Sequence, residues 1–278
     1  MKSATAVKAK IKNKAGGSSD KSQIMLRIYL MERLLERVSL SRYRDNFVLK
    51  GGLLVSSLVG VDMRSTMDVD TTVKSLPLNK SSAQKILEEI MAIGLEDGVC
   101  FHITKVQDIM EDHEYEGVRF MIDCTMDKLK QTIKMDISTG DEITPGAIEY
   151  KLPLIIEDRS IDLWAYNLET ILAEKLETLM VRGEANTRMR DFYDIHVLIQ
   201  QDIETVDRET LKAAFYATCK KRGSIELIGT IDDVINKIAD DETMRQLWNN
   251  YRKTNYYVGA LEWEDVIGSA RILRAMIK

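Results

Sequence analysis

Two aspartates one residue apart, Asp68 and Asp70, sit in a stretch from Met67 to Val73 whose apolar and β-branched neighbours read as a strand. Residues two apart on a strand share a face, so the two carboxylates stand side by side while Val69 points into the core behind them. Carboxylates so placed suit a divalent cation: Mg²⁺ takes one or two from protein and completes its shell with water and phosphate oxygens. Upstream, the apolar run Phe47 to Leu49 and Lys50 meet Gly51 and Gly52. Glycines there let backbone N–H groups and a helix N-terminus approach a phosphate closely. A third carboxylate, Asp136, lies in the strand-like run Ile133 to Ile137, on the face opposite Met135 and Ile137. Between apolar neighbours it needs water, a partner or a metal; alone it also fits an outward residue of a half-exposed sheet. A lone diglycine is usually a turn and a lone Asp-x-Asp a strand end. In this order, with a third strand carboxylate, they point to nucleotide chemistry.

Two helical stretches carry charge where apolar residues are expected. From Asn167 to Arg182, Leu168, Ile171, Leu172, Leu176 and Leu179 form one stripe, and Lys175 falls within it. Lysine is rarely buried without a partner. It either reaches an anion such as phosphate, or snorkels to water or pairs with an acid such as Asp191. From Thr187 to Gln200, Phe192, Ile195 and Ile199 mark the apolar side, with Arg188 and Asp191 on or beside it. Arg190 and Asp194, four apart, read as a surface pair worth on the order of a few tenths of a kcal/mol.

The elements that hold these residues follow from periodicity. Residues 1–21 carry lysines at 2, 8, 10, 12 and 14 and a Gly-Gly-Ser-Ser run, and read as a mobile basic tail. An amphipathic helix begins at Ser22, marked by Ile24, Leu26, Ile28, Leu30, Leu34 and Leu35, and ends near Ser39. After Gly52 come an apolar helix and then the Asp68 strand, which continues to Val73 and is closed by Pro77. A helix over 79–93, capped by Ser81 or Ser82, carries the stripe Ile86, Leu87, Ile90 and Met91. Strands are expected over 99–106, 117–126 and 132–138, the first two separated by an acidic loop over 108–116. From about Asp162 the pattern turns helical, with further helices over 208–221, 225–238, 241–252 and 263–277. The organisation expected is the tail, a mixed α+β domain over 22–161 and a helical bundle over 162–278. Tyr251, Tyr256 and Tyr257 beside Arg252 and Lys253 can stack on RNA or form a partly buried aromatic cluster.

Composition narrows the classes. With 278 residues, 45% of them hydrophobic, the chain can fill an ordinary core; no apolar run approaches membrane-spanning length and no secretory apolar block opens the sequence. A soluble, cytoplasmic protein without membrane contact is expected. Cys100, Cys124 and Cys219 are too sparse for a disulfide framework or a zinc motif, and His102, His113 and His196 form no ligand pattern. The formal net charge of -5 speaks against broad non-specific nucleic-acid binding but allows a local basic groove.

Phe47 to Gly52, then Arg64 to Asp70 with its Asp-x-Asp, then Asp136, resembles the signature of the nucleotidyltransferase superfamily. Within it the chain resembles the AbiEii/AbiGii toxin family through Tyr43 to Gly52, Glu174-Lys175 on an apolar helix, and Arg188 to Asp194. This resemblance covers most of the chain from about residue 22, the last hundred or so residues matching by helical character alone. It implies a minimal nucleotidyltransferase domain, an α+β fold with a mixed sheet and packed helices, followed by a helical domain that closes the cleft. It further implies that Asp68, Asp70 and Asp136 bind two Mg²⁺ ions, with Mn²⁺ as the alternative, and that Asp136 serves as base for the acceptor hydroxyl. Lys175 and Asp191 would line the cleft from the helical side. Gly51 and Gly52, with Lys50, Ser56, Arg64, Ser65 and Arg188, would hold a nucleoside triphosphate, whose charge Lys175 would also stabilise. Two departures stand out. The fifteen residues between Gly52 and Asp68 exceed the superfamily's usual interval, and Arg190 stands where the family often has lysine. The first changes a loop; the second keeps charge but not point geometry.

Members of that family are toxins of bacterial toxin–antitoxin pairs, and several act on tRNA 3′ ends. The leading expectation is therefore transfer of a nucleotide to tRNA or another RNA acceptor, with a small DNA-binding antitoxin as partner and a part in phage defence. An antibiotic-type enzyme that modifies a small molecule is the alternative, and the acidic pI of about 5.5 suits it. A third class is a non-catalytic nucleotide-binding or regulatory protein, which the three aspartates and Lys175 disfavour.

Overall fold

A computed structural model describes residues 3–76, 79–111 and 115–278, with side chains left aside over 110–116. Pro77, expected to close a strand, His113 and the middle of the acidic 108–116 segment fall outside the described residues. The chain divides into two compact units. The first comprises residues 1–61, 65–141 and 148–165, and the second 62–64, 142–147 and 166–278.

The first unit is built on a seven-stranded mixed sheet. Its strands are β1 (Phe47–Lys50), β2 (Asp68–Val73), β3 (Cys100–Glu111), β4 (Tyr115–Met126), β5 (Leu129–Thr139), β6 (Ile148–Pro153) and β7 (Ser160–Ala165), in the order β3-β4-β5-β2-β1-β7-β6. Short connections make β3–β4, β4–β5 and β6–β7 antiparallel, whereas β2 pairs with β5, and β1 with β7, in parallel. β1 and β2 run antiparallel, joined by α3 (Gly51–Val59) and the loop that follows it.

One face of the sheet is covered by α2 (Ser19–Leu40), whose buried Ile28, Leu30, Met31, Leu34, Leu35 and Val38 pack with α4 (Lys80–Met91), β5 and β7. Val69, Phe120, Ile122, Met135 and Ile137 complete the core beneath it. α4 is capped by Asn79, whose side chain accepts the Ser82 N–H while Ser82 Oγ accepts the Asn79 N–H. The cap therefore lies at Asn79, with Ser82 as its reciprocal partner.

The segment read as a basic tail contains a helix, α1 (Ala4–Lys14). Ala4, Val7 and Ile11 recur every three or four residues and are buried, and the Ala4 N–H donates to Asp127 Oδ2 at 2.8 Å. Its lysines take the solvent side of an amphipathic helix, which the basic composition concealed. β6 and β7 were absent from the sequence expectation, although Ile161, Leu163 and Ala165 alternate inward along β7. The acidic segment is narrower than expected, because β3 extends to Glu111 and β4 begins at Tyr115.

The second unit is helical: α5 (Leu168–Arg182), α6 (Met189–Asp202), α7 (Arg208–Arg222), α8 (Ile231–Asp240), α9 (Glu242–Thr254) and α10 (Trp263–Met276). α10 packs on α6 and α8, and α5 on α7, around Leu172, Leu176, Phe192, Phe215, Trp248 and Trp263. The helix expected from Ile225 starts at Ile231, preceded by a 3-10 segment over Ile225–Thr230. The expectation of an α+β mixed sheet followed by C-terminal helices thus holds.

Candidate functional site

The β1–β2, β2–β5 and β4–β5 registers set four charged residues in one row across the sheet. Lys50 pairs with Asp70, Asp70 with Asp136, and Asp136 with Arg119. Directly paired residues on neighbouring strands share a face, so the row lies opposite buried Val69 and Met135. In the adjacent row Asp68 pairs with Lys134. The alternation that buries Val69, Met135 and Ile137 is what places Asp68, Asp70 and Asp136 together on the other face.

Asp70 sits against the diglycine. Gly51 has φ +66°, and a Cβ there would come within 2.7 Å of the Asp70 Cβ and 2.8 Å of its Cγ. The Gly52 N–H donates to Asp70 Oδ2 at 3.3 Å at the N-terminus of α3. Burial, together with the charges of Asp136 and Asp68, raises the Asp70 pKa, and the Gly52 hydrogen bond only partly opposes this. Such a carboxyl is short of positive charge.

Its two neighbours are paired within the protein. Arg119 grips Asp136 with both arms, Nε to Oδ1 at 2.9 Å and Nη2 to Oδ2 at 2.7 Å. Lys134 Nζ lies 2.8 Å from Asp68 Oδ2 and 3.8 Å from Asp136 Oδ2. Among the described residues no group of three or more His, Cys, Asp or Glu side chains is set out to hold a metal ion. In donor type the aspartates nevertheless fit one, since hard carboxylate oxygens suit Mg²⁺ or Mn²⁺.

Lys50 is held by an acid the sequence reading missed. Its Nζ lies 2.6 Å from Asp141 Oδ2, and Ser138 Oγ donates to the same oxygen at 2.8 Å. Burial alone would raise Asp141, but Lys50 and Ser138 hold it below the usual carboxylate range. Ser56 and Ser65, expected to face phosphate, are both buried, at 1% and 8% exposure.

The second unit gathers the other expected residues. Lys175 Nζ contacts Asp191 Oδ1 at 2.7 Å and Asp194 Oδ2 at 2.8 Å. Arg64 donates to Asp194 from Nε at 3.0 Å and Nη2 at 3.2 Å. Asp194 is therefore a buried hub and not the surface partner of Arg190 that its spacing suggested. Burial would raise its pKa, yet Arg64 and Lys175 pull it down to about 2. Burial likewise opposes charge on Lys175, and Asp191 and Asp194 outweigh it, holding the ammonium above its ordinary value. Of the two readings of Lys175, the pair with Asp191 is present, joined by a second acid. Arg188 is exposed at the start of α6, its N–H donating to Asn186 Oδ1. The tyrosines form an aromatic cluster: Tyr257 lies 5.2 Å from Tyr193, its hydroxyl bonds that of Tyr251, and Tyr256 is exposed.

Arg119, Lys134, Asp141 and Asp194 are the partners that sequence reasoning missed. Lys134 alone had a local signal, since it lies two residues from Asp136 on the same strand face. The others become neighbours through sheet register or through helix packing across long chain separations.

Comparison with known proteins adds a family. The family described as "Nucleotidyl transferase AbiEii toxin, Type IV TA system" matches residues 33–268. Among curated proteins nothing matches the chain. Two crystal structures from Helicobacter pylori resemble the fold. One is of a candidate nucleotidyltransferase, 16% identical with a TM-score of 0.50, the match covering 92% of this chain and 96% of that one. The other is of JHP933, also 16% identical with a TM-score of 0.50, covering 92% and 93%.

Proposed function

The chain belongs to the AbiEii family of nucleotidyl transferase toxins of type IV toxin–antitoxin systems, and from that premise we propose a metal-dependent transfer of a nucleotide from a nucleoside triphosphate to an RNA acceptor such as the tRNA 3′ end. One observation carries the reading: Asp70 and Asp136 are direct partners on parallel strands, with Gly51 closed against Asp70. An antitoxin partner goes with the family.

In this reading Asp68, Asp70 and Asp136 hold the divalent ions. When bound, the metal polarises phosphate oxygens and lowers the pKa of an acceptor hydroxyl. Asp136 takes the proton of that hydroxyl as its oxygen bonds the α-phosphorus; the bond from that phosphorus to the bridging oxygen breaks, and pyrophosphate leaves. Gly51 and Gly52 keep the backbone at the start of α3 close to Asp70, so its N-terminus can face the triphosphate. Positioning and charge do most of the catalytic work in phosphoryl transfer, which is why the site needs few reactive groups. The family pattern extends nucleotide-handling roles to Lys175, Asp191 and Arg188.

The test incubates the protein with each labelled nucleoside triphosphate, Mg²⁺ and total tRNA, beside Asp70→Asn. Label on RNA with the wild type alone is expected. Label on neither, with transfer to a small-molecule acceptor instead, would move the chain to the antibiotic-type class.

A further inference from the structure

Two of the three aspartates carry protein cations in a fixed arrangement. Arg119 is opposite Asp136 in the β4–β5 register, and Lys134 opposite Asp68 in the β2–β5 register. The fork on Asp136 uses both of its oxygens, and Lys134 lies within 4 Å of a second carboxylate. A planar guanidinium in that geometry neutralises a carboxylate as a bound ion does, and it occupies the oxygens a metal would need. Both cations remain about a quarter to a third exposed, at 32% for Arg119 and 25% for Lys134, so each can swing away without unpacking the core.

Building on the transferase reading above, we propose that Arg119 and Lys134 are resident counterions of the aspartate site, displaced when a divalent metal binds and thereby freed to contact the triphosphate that arrives with it. The exchange keeps the local charge nearly balanced at every stage. Without metal, two cations offset three carboxylates; with metal, the same two cations face the phosphates that the metal brings. Metal binding to the nucleotide-free protein is consequently weakened by competition, and metal and nucleotide assist each other. The adjacent Lys50 is not part of the exchange, because it is paired with buried Asp141, whose carboxylate Ser138 also contacts.

Mn²⁺ titration of the nucleotide-free protein, followed by calorimetry or by the loss of free-ion paramagnetic signal, tests this directly. Arg119→Gln and Lys134→Gln are each expected to bind Mn²⁺ about tenfold more tightly than the wild type, since each removes one competing charge within a few ångströms. Their KM for the nucleoside triphosphate should rise by a similar factor. Arg119→Lys, which keeps the charge but not the fork, should fall between the wild type and Arg119→Gln. Circular dichroism confirms that the variants are folded. Unchanged or weaker Mn²⁺ binding in both glutamine variants overturns the proposal. The two readings fail separately: equal Mn²⁺ affinities, with transfer still lost in Asp70→Asn, would remove the counterion exchange and leave the transferase standing. Tighter Mn²⁺ binding in the glutamine variants, with transfer undiminished in Asp70→Asn, would keep the exchange and remove the catalytic assignment.

Discussion

Gly51 shows how closely one position is fitted to Asp70. Its φ of +66° lies in the left-handed region, which costs an L-residue roughly 1–2 kcal/mol, and its missing Cβ leaves the space that the Asp70 carboxylate fills. Gly51→Ala must distort the backbone and push Asp70 aside together. We expect transfer activity to fall at least about a hundredfold, as displacement by an ångström or so does in positioned catalysis, while the melting temperature drops by only a few degrees. Wild-type turnover in Gly51→Ala would show that Asp70 need not stand against the diglycine. Neighbouring residues differ in how far the chain itself disclosed them. Asp68 and Asp70 share a face because a strand alternates, and that is visible in six residues. Their company with Asp136 depends on β2 lying parallel beside β5, which no local pattern encodes. Asp194 was misplaced for the same reason: helical spacing offers Arg190, whereas the partner in the fold is Arg64, 130 residues away.

Helices and strands with a continuous apolar stripe were legible, and those with interrupted or short patterns were not. α2, α4, α5 and α6 lie within a few residues of their expected bounds. α1 was hidden by its lysines, and β6 and β7 are six-residue strands with polar residues on one face. α2 also carries an ionisable residue where periodicity alone would place an apolar one. Glu32 is buried, at 2% exposure; its Oε1 accepts the Ile155 N–H at 2.8 Å and its Oε2 is buried without a hydrogen-bond partner. Burial raises its pKa from 4.5 to about 8; the Ile155 N–H, Arg33 and Lys14 pull it down, and Glu157 pushes it up. The folded protein therefore binds more protons than the unfolded chain between those two values, so this group's contribution to stability declines as pH rises across that window. Glu32→Gln removes the titration while keeping an acceptor for Ile155. Thermal melts from pH 5 to 8 should show the variant gaining on the wild type steadily as pH increases. A melting-temperature difference that stays constant across that range would mean Glu32 remains ionised in the fold.

For the chain taken entire, charge is the property that bears on the acceptor. A formal net charge of -5 disfavours a broad basic surface, although α1 sets Lys8, Lys10, Lys12 and Lys14 toward solvent. On the proposed reading, an RNA acceptor is then gripped through few phosphates, with positive charge concentrated near the reacting end. Counterion release makes the logarithm of nucleic-acid affinity fall with the logarithm of salt concentration, by a slope that tracks the number of phosphates contacted. Measured between 50 and 200 mM salt, a slope of about -2 to -3 is expected for the RNA acceptor, well short of the steep values of proteins that cover a long duplex. On the proposed metal-dependent reading, the nucleoside triphosphate should show a weaker salt dependence than the acceptor, because bound metal would meet most of its charge. A slope near zero for the acceptor would favour a small neutral molecule in its place, and one approaching -8 would call for an extended basic face in contact with many phosphates.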